Sequence, residues 1–379
     1  MHVELREGNV DDLVPEWAEL YRADDRSTPF QSPAWVCAWW RHWAGRARPW
    51  VLTVRQEARL VGLLALCGES VAGLTVIRTN GDPGDYCDLL ALPELRASVE
   101  AVIGAELRAR AREWDVLILG QLPPGSTTAA AVERAGVRAS HRAAIACPGI
   151  ALPDTFDAYL SSLPKTRRGN LRRHLRRLDD GELEIREPRL EGLSAGLERW
   201  QAMRVREWEA LGKHMNPVHA TTRFRRLLLD ALTGLMPDGL AQFWEFHRHG
   251  RLVGSFVNFC DRRTFYHYLG AFEPEVRSLG IGKAATGEAI RRSIDEGRSY
   301  YDFTRGSEPY KYWYGAADRD SGTVVLRGAR RRSLVVTPAC LLATQLPGVK
   351  RWPWAKRAAH RIHDAPDVPR AERFVHPMP

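Results

Sequence analysis

The sequence predicts an α/β chain, of the α+β kind, built from two tandem halves, and three observations lead there. A length of 379 residues exceeds what one hydrophobic core usually grows to. A short motif recurs: Arg59-Leu60-Val61-Gly62 opens an apolar run to Cys67, and Arg251-Leu252-Val253-Gly254 opens another to Cys260, each after a charged turn or strand end. The flanking elements follow in the same order, since Leu95 to Arg112 reads as a helix before Trp114-Asp115-Val116-Leu117, as a helix ending at Gly297 precedes Tyr301-Asp302-Phe303. Four shared residues alone arise by chance in an Arg- and Leu-rich chain; nearly equal offsets make duplication the reading.

The second half is the more legible. Arg251 to Cys260 and the aromatic, β-branched run Thr264 to Ala271 flank a polar turn at Asp261-Arg262-Arg263, the pattern of an antiparallel hairpin. Next comes Arg277-Ser278-Leu279-Gly280-Ile281-Gly282, then a helix from Lys283 to Glu296 with Ala285, Ala289 and Ile290 at helical spacing, stopped by Gly297. Glycines at 280 and 282 let successive N–H groups converge on an anion where the helix begins and its dipole adds positive potential. The alternative is an ordinary strand-to-helix turn. A Walker loop is excluded because Gly282-Lys283-Ala284 lacks the hydroxyl, and a dinucleotide fingerprint sits poorly because Ala285 stands where its third glycine would and a hairpin precedes the loop. In the first half the corresponding place holds Asn80-Gly81-Asp82-Pro83-Gly84-Asp85, whose acids would repel a pyrophosphate, so that half reads as a degenerate partner.

A second cluster, Tyr301-Asp302-Phe303-Thr304-Arg305-Gly306-Ser307-Glu308-Pro309-Tyr310-Lys311, crowds charged and phenolic groups past a strand end. With the Arg-x-x-Gly-x-Gly loop, Phe30-Gln31-Ser32-Pro33-Ala34-Trp35 and Leu163-Pro164-Lys165-Thr166-Arg167-Arg168-Gly169-Asn170-Leu171-Arg172-Arg173, it resembles the GNAT N-acetyltransferase superfamily. Within that superfamily it resembles a bacterial family of cellulose-biosynthesis-associated (CelD-like) acyltransferases, related to the Fem peptidyltransferases. The resemblance spans roughly residues 25 to 320. It implies two tandem GNAT-like domains, each a mixed, largely antiparallel central sheet flanked by helices. The divisions expected are 1–150 for a degenerate GNAT-like domain, 151–326 for an acyl-CoA-binding one that includes a connecting helix at 164–180, and 327–379 for a basic tail.

The resemblance also implies the chemistry. Leu269 and Gly270 would polarise a thioester carbonyl through strand N–H groups, while Arg277, Leu279, Gly280, Ile281, Gly282 and Lys283 hold the pyrophosphate of acetyl-CoA or another acyl-CoA, the donor substrate. An acceptor amine then attacks directly after losing a proton. Glu308 is the first candidate base, with an ion pair to Arg305 or Lys311 as its alternative role. Tyr310 would return a proton to the thiolate or pack beside Pro309; His267, mid-strand between Tyr266 and Tyr268, ranks behind Glu308 as a base and otherwise reads as a half-buried structural histidine. Asp302, Arg305 and Lys311 are candidate contacts to an acidic substrate, with structural salt bridging as the alternative.

Charge points the same way. A net charge of +9 and a pI near 9.4 call for an anionic partner, and acyl-CoA itself meets part of that demand. Lys165, Arg167, Arg168, Arg172, Arg173, Arg176 and Arg177 crowd one stretch while Leu171, Leu175 and Leu178 share a face, making a basic amphipathic helix ended by Gly181. It is either a solvated face over a leucine-docked helix or, through Arg172 and Arg173, a platform for an acidic acceptor. RNA-binding aromatics are not interleaved, so nucleic acid is not expected, tRNA under the Fem-like alternative excepted.

Six scattered cysteines with no Cys-x-x-Cys pair and no clustered His predict neither a metal nor a disulfide frame. Met1 to Glu7 has no apolar core for export, and the longest apolar stretch, Leu334 to Leu346, is short and broken by Pro338; a cytoplasmic location is expected. The tail's Arg330-Arg331-Arg332 and Lys350-Arg351-Trp352-Pro353-Trp354-Ala355-Lys356-Arg357 read as a strap packing on the body, with peripheral contact at the inner membrane face as the alternative. Trp35, Trp39, Trp40 and Trp43 form an aromatic helix face for packing. The leading function is acyl-CoA-dependent N-acyl transfer, acetyl for choice, to a small-molecule or glycan amine, such as an amino sugar of an envelope or exopolysaccharide pathway. The alternatives are a Fem-like transferase using aminoacyl-tRNA, in which the 277–283 loop is only a turn, and an inactive anion-binding scaffold.

Overall fold

A computed structural model describes residues 1–71, 73–212, 217–330 and 333. The tail beyond 333, with its tryptophans, its apolar stretch and Cys340, lies outside the described residues. In chain order the elements are β1 (His2–Glu7), α1 (Val14–Ala23), α2 (Pro33–His42), β2 (Arg48–Gln56), β3 (Arg59–Val71), β4 (Leu74–Thr79), β5 (Leu90–Ala91), α3 (Arg96–Ala109), β6 (Val116–Leu122), α4 (Thr128–Arg134), β7 (Ala139–Ala151), α5 (Phe156–Ser162), α6 (Lys165–Asp179) and β8 (Glu184–Arg186). There follow α7 (Leu190–Ala210), α8 (Thr222–Leu235), β9 (Ala241–Arg248), β10 (Arg251–Cys260), β11 (Thr264–Phe272), α9 (Ile281–Asp295), β12 (Tyr300–Asp302), α10 (Pro309–Tyr312) and β13 (Ala317–Arg327).

The strands form one sheet ordered β1-β2-β3-β4-β6-β13-β7-β12-β11-β10-β9-β8, with β5 against β3. All pairings are antiparallel except β4 with β6 and β11 with β12. Those two parallel pairs are bridged by α3 and α9, so the halves repeat one topology: mixed, largely antiparallel, flanked by helices. The recurring Arg-Leu-Val-Gly motif has a local cause. In both halves the pairing slips by one residue at its Val, Val61 opposite β2 and Val253 opposite β9, giving the same bulge. In both, its Gly admits the crossover helix at close range. A Cβ on Gly62 would stand 2.3 Å from Val99 of α3, and one on Gly254 would stand 3.0 Å from Ile281 of α9.

The sequential halves are not sequential sheets. Each half ends in a strand that pairs with the other: β7 lies against β12 of the second half, and β13 lies against β6 of the first. The division expected at 150/151 falls one residue inside the end of β7. Helices α2 and α8 join the tryptophan-rich core on one face, where Trp17, Trp35, Trp39 and Trp200 are buried with Phe224 and Phe259. A second core, under α5, α6 and α9, gathers Leu171, Leu175, Phe256, Phe265, Ile281, Tyr301 and Phe303. No helix among the described residues is long and apolar enough to cross a membrane.

Candidate active site

The site begins where β11 loses a neighbour. Along one edge it pairs with β10, but on the other it meets β12 for only three residues, Thr264 to Tyr266 against Tyr300 to Asp302. The chain then turns to follow β7, with the Phe303 N–H donating to the Pro148 carbonyl at 2.9 Å. Since β11 continues to Phe272, the two parallel strands part and leave a wedge. A bulge in β11 sits at its apex, for Val257 faces Leu269 and Asn258 faces His267, leaving Tyr268 unmatched.

Beyond the bulge, alternate residues of β11 face the wedge. The Gly270 carbonyl accepts from Arg204 Nη1 at 2.9 Å, on the side away from β10. In an antiparallel ladder a residue's N–H and C=O point the same way, so the Gly270 amide is aimed into the wedge and Leu269 faces β10 instead. Of the two amides expected to polarise a thioester, one has the required direction.

The glycine loop stands at the wedge's mouth. A 3₁₀ turn, Pro274–Leu279, delivers the chain to Gly280, which has φ +69° and ψ +40°, left-handed values that glycine adopts without strain. The amides of Lys283 and Ala284 fold back on the Gly280 carbonyl at 2.9 and 3.0 Å. Ile281 and Gly282 supply the first amides of α9, where a helix has no internal acceptor to offer. Arg277 and Ser278 are exposed and Gly280, Gly282 and Lys283 half-buried, so the loop reaches the surface there, but Ile281, expected to face the diphosphate, is 1% exposed and packs into the second core instead. A Cβ on Gly282 would meet only Phe272, at 3.6 Å, which leaves room for a ligand.

Helix α6 braces the loop from the other side. His174 Nδ1 lies 3.1 Å from the Leu279 carbonyl, which also accepts from the Arg177 guanidinium. Burial, followed by the nearby Lys283 charge, lowers the His174 pKa, so the neutral ring carries its proton on Nδ1 toward that carbonyl. Leu171 and Leu175 seat α6 on α9 at Gly287. The Lys283 ammonium rests 4.8 Å from the centre of the Trp313 ring, which ties the loop to the segment after β12.

That segment organises itself. Lys311, nearly fully buried, donates to the carbonyls of Thr304, Arg305 and Gly306 at 3.3, 2.8 and 2.9 Å, and its Nζ is 2.9 Å from Glu308 Oε2. Glu308 itself is more than half exposed, and Tyr310 is 49% exposed as a residue although burial raises the pKa of its phenol. Tyr310 packs edge-on against Phe303.

Asp302, Arg305 and Lys311, expected to touch an acidic substrate, are instead consumed within the fold. Asp302 is buried, accepts from the Tyr86 hydroxyl at 2.9 Å through both oxygens and from the Thr304 amide at 2.6 Å. Its pKa is pushed up to about 7, chiefly by burial. Arg305 pairs with Asp82 at 2.6 Å and with Asp85, both in the acidic loop of the first half. Lys311 has its donors committed to backbone. The acidic loop is thus a clamp on the second half; Tyr268 also donates to the Pro83 carbonyl at 2.6 Å. Nor does that loop head the first-half crossover helix, since α3 starts later, at Arg96, whose guanidinium pairs with the buried Asp24 at 2.5 Å.

His267 has its Nδ1 2.9 Å from the Tyr301 hydroxyl, and burial holds its pKa down to about 4, so the ring is neutral at physiological pH. The exposed flank of α6 keeps its arginines outward: Arg172 and Arg176 line a surface groove of about 430 Å³ with Phe156, Leu175, Asp179 and Arg291, and Arg173 is exposed beside it. Arg172 has one distant acid, Asp157, at 3.8 Å.

Two residues escaped sequence reasoning. Arg204 and Glu207, one turn apart on α7, lie on the wedge edge of β11: their side chains meet at 3.1 Å, and the Phe272 N–H faces the Glu207 carboxylate. Burial raises the Glu207 pKa against the opposing pull of Arg204 and Arg277. Their i, i+3 spacing marks a helix ion pair in any sequence, and nothing in it shows which strand they meet. Among the described residues no group of His, Cys, Asp and Glu gathers as a metal site.

Residues 165–312 match the family model described as the acetyltransferase (GNAT) domain. No curated protein matches the chain by sequence. Solved structures with the same fold include FemX, at 12% identity and a TM-score of 0.60, covering 84% of this chain and 96% of that one. A conserved protein of unknown function from Bacteroides thetaiotaomicron follows at 13% and 0.56, covering 86% and 100%; L-PGS from Bacillus licheniformis stands at 14% and 0.52, covering 88% and 97%. The segment from α6 to α10 is therefore a GNAT acetyltransferase domain, and the chain is an acyltransferase.

Proposed function

We propose that this acyltransferase is an acyl-CoA-dependent N-acyltransferase that moves an acyl group, acetyl for choice, from the thioester to the amine of a small molecule or amino sugar. One observation carries the reading: the half-buried Gly282, in the first turn of a fifteen-residue helix that opens on the buried Ile281, stands at the mouth of a wedge into which the Gly270 amide is aimed. The helix end suits a diphosphate. The Gly270 N–H suits the oxygen that becomes negative as the amine attacks. Glu308, exposed at the wedge, is the group we assign to take the ammonium proton; the amine then bonds to the carbonyl carbon, the C–S bond breaks, Tyr310 protonates the departing thiolate, and the second proton of the nitrogen passes to the Tyr310 oxygen as the amide forms. The acidic acceptor lies along the arginine flank of α6. The closing Asp302 to Lys311 pattern supports the narrower kinship with cellulose-biosynthesis-associated acyltransferases, and with it an envelope or exopolysaccharide acceptor in the cytoplasm.

Calorimetric titration with acetyl-CoA tests the donor. Wild type should bind and Gly282→Glu, which places a carboxylate in the open space above the helix end, should not; unchanged binding by the variant overturns the assignment.

A second reading has its own support. Arg204 already holds the Gly270 carbonyl, and FemX shares the fold over most of both chains. Under it the donor is an aminoacyl-tRNA, its phosphates on α6, and acetyl-CoA does not bind wild type at all.

A further inference from the structure

The free edge of β11 carries a cover of its own. Past the bulge its outward groups are the N–H and C=O of Gly270 and of Phe272. The Gly270 carbonyl is bonded by Arg204 and the Phe272 amide faces Glu207. The two side chains are a unit: Arg204 Nη1 is 3.1 Å from Glu207 Oε2, and the same guanidinium lies 5.0 Å from the centre of the Trp208 ring, all on the last turns of α7. Glu207 is 7% exposed, so this is not a passing surface contact.

An acyl-CoA reaches from its diphosphate to its thioester through an arm with two secondary amides. Each amide has one donor and one acceptor, the groups that add to an exposed strand edge. Laid from the glycine loop toward Gly270, that arm meets an edge whose carbonyl and amide are already engaged. We propose that Arg204 and Glu207 are a latch on this edge, specificity-determining residues that a donor must displace before its arm can pair with β11. This rests on the acyl-CoA reading above. A donor with the arm opens the latch and bears its cost, so its apparent affinity is reduced by the fraction of molecules that are open. The nucleotide half alone binds at the helix end and leaves the latch closed.

The experiment is calorimetry of wild type, Arg204→Ala and Glu207→Gln with two probes, acetyl-CoA and adenosine 3′-phosphate 5′-diphosphate, which keeps the diphosphate and lacks the arm. Arg204→Ala should bind acetyl-CoA about tenfold more tightly, a change of about 1.4 kcal/mol, and the arm-less nucleotide as wild type does. Glu207→Gln keeps an oxygen for the Phe272 amide and should lie between. Arg204→Met, which preserves the stem over Trp208, serves if the alanine variant loses its thermal transition. Wild type that binds acetyl-CoA while the Arg204 variants bind it equally or more weakly overturns the latch alone. Failure of every protein to bind either probe overturns the donor reading and the latch with it.

Discussion

The phenol of Tyr86, from the first half of the chain, donates to both oxygens of Asp302 at 2.9 Å, fixing the point where β12 leaves β11 and the wedge begins.

Asp302 makes that contact pH-dependent. Its folded pKa, about 7, is above the ordinary carboxylate value of 3.8, so between roughly pH 4 and 7 the folded state holds a proton that the unfolded state has lost. Stability from this group is present at low pH and is lost as pH rises through 7. Thermal melts of wild type and Asp302→Asn at pH 5.5 and 8 should show the wild type losing more between the two, by several degrees; parallel losses would place the raised pKa elsewhere.

Gly280→Ala should damage both fold and donor site. The residue holds φ +69°, and its Cβ would stand 2.3 Å from His174 Cε1. A cost of about 1–3 kcal/mol is expected, read from denaturant midpoints. The double variant with His174→Ala should recover the steric part and leave the backbone part.

Glu308→Gln should lower turnover by roughly 10²-fold or more with donor affinity unchanged, as a base does. Lys311 keeps its three carbonyl acceptors, so the melting temperature should move little. A fall in stability with full turnover would make the 2.9 Å ion pair its role.

Reversing Arg172, Arg173 and Arg176 to Glu should weaken the acceptor, seen as a raised KM for it, and leave acetyl-CoA binding within about twofold because the bracing residues His174 and Arg177 are untouched. Equal loss of both would make this flank structural.

What the sequence made legible was local. The hairpin, the glycine loop and its helix each follow from neighbours within a few positions, and the Arg-Leu-Val-Gly repeat encodes one bulge and one close helix approach twice. Asp82, Asp85 and Arg305 illustrate the limit. Read alone, the acids look hostile to a phosphate and the arginine looks ready for a substrate; folded, they neutralise one another across more than two hundred residues of chain. Arg204 and Glu207 were hidden for the same reason, since a strand edge far along the sequence decides what a helical ion pair does.

The crossing of β7 and β13 bears on how the protein is made. Strand β6 acquires its β13 partner only when the chain has been synthesised as far as Arg327, close to the end of the described fold. Until then the nascent first half presents β6 as an unpaired edge, so a ribosome stalled before that point holds an unfinished sheet rather than a finished domain awaiting its twin.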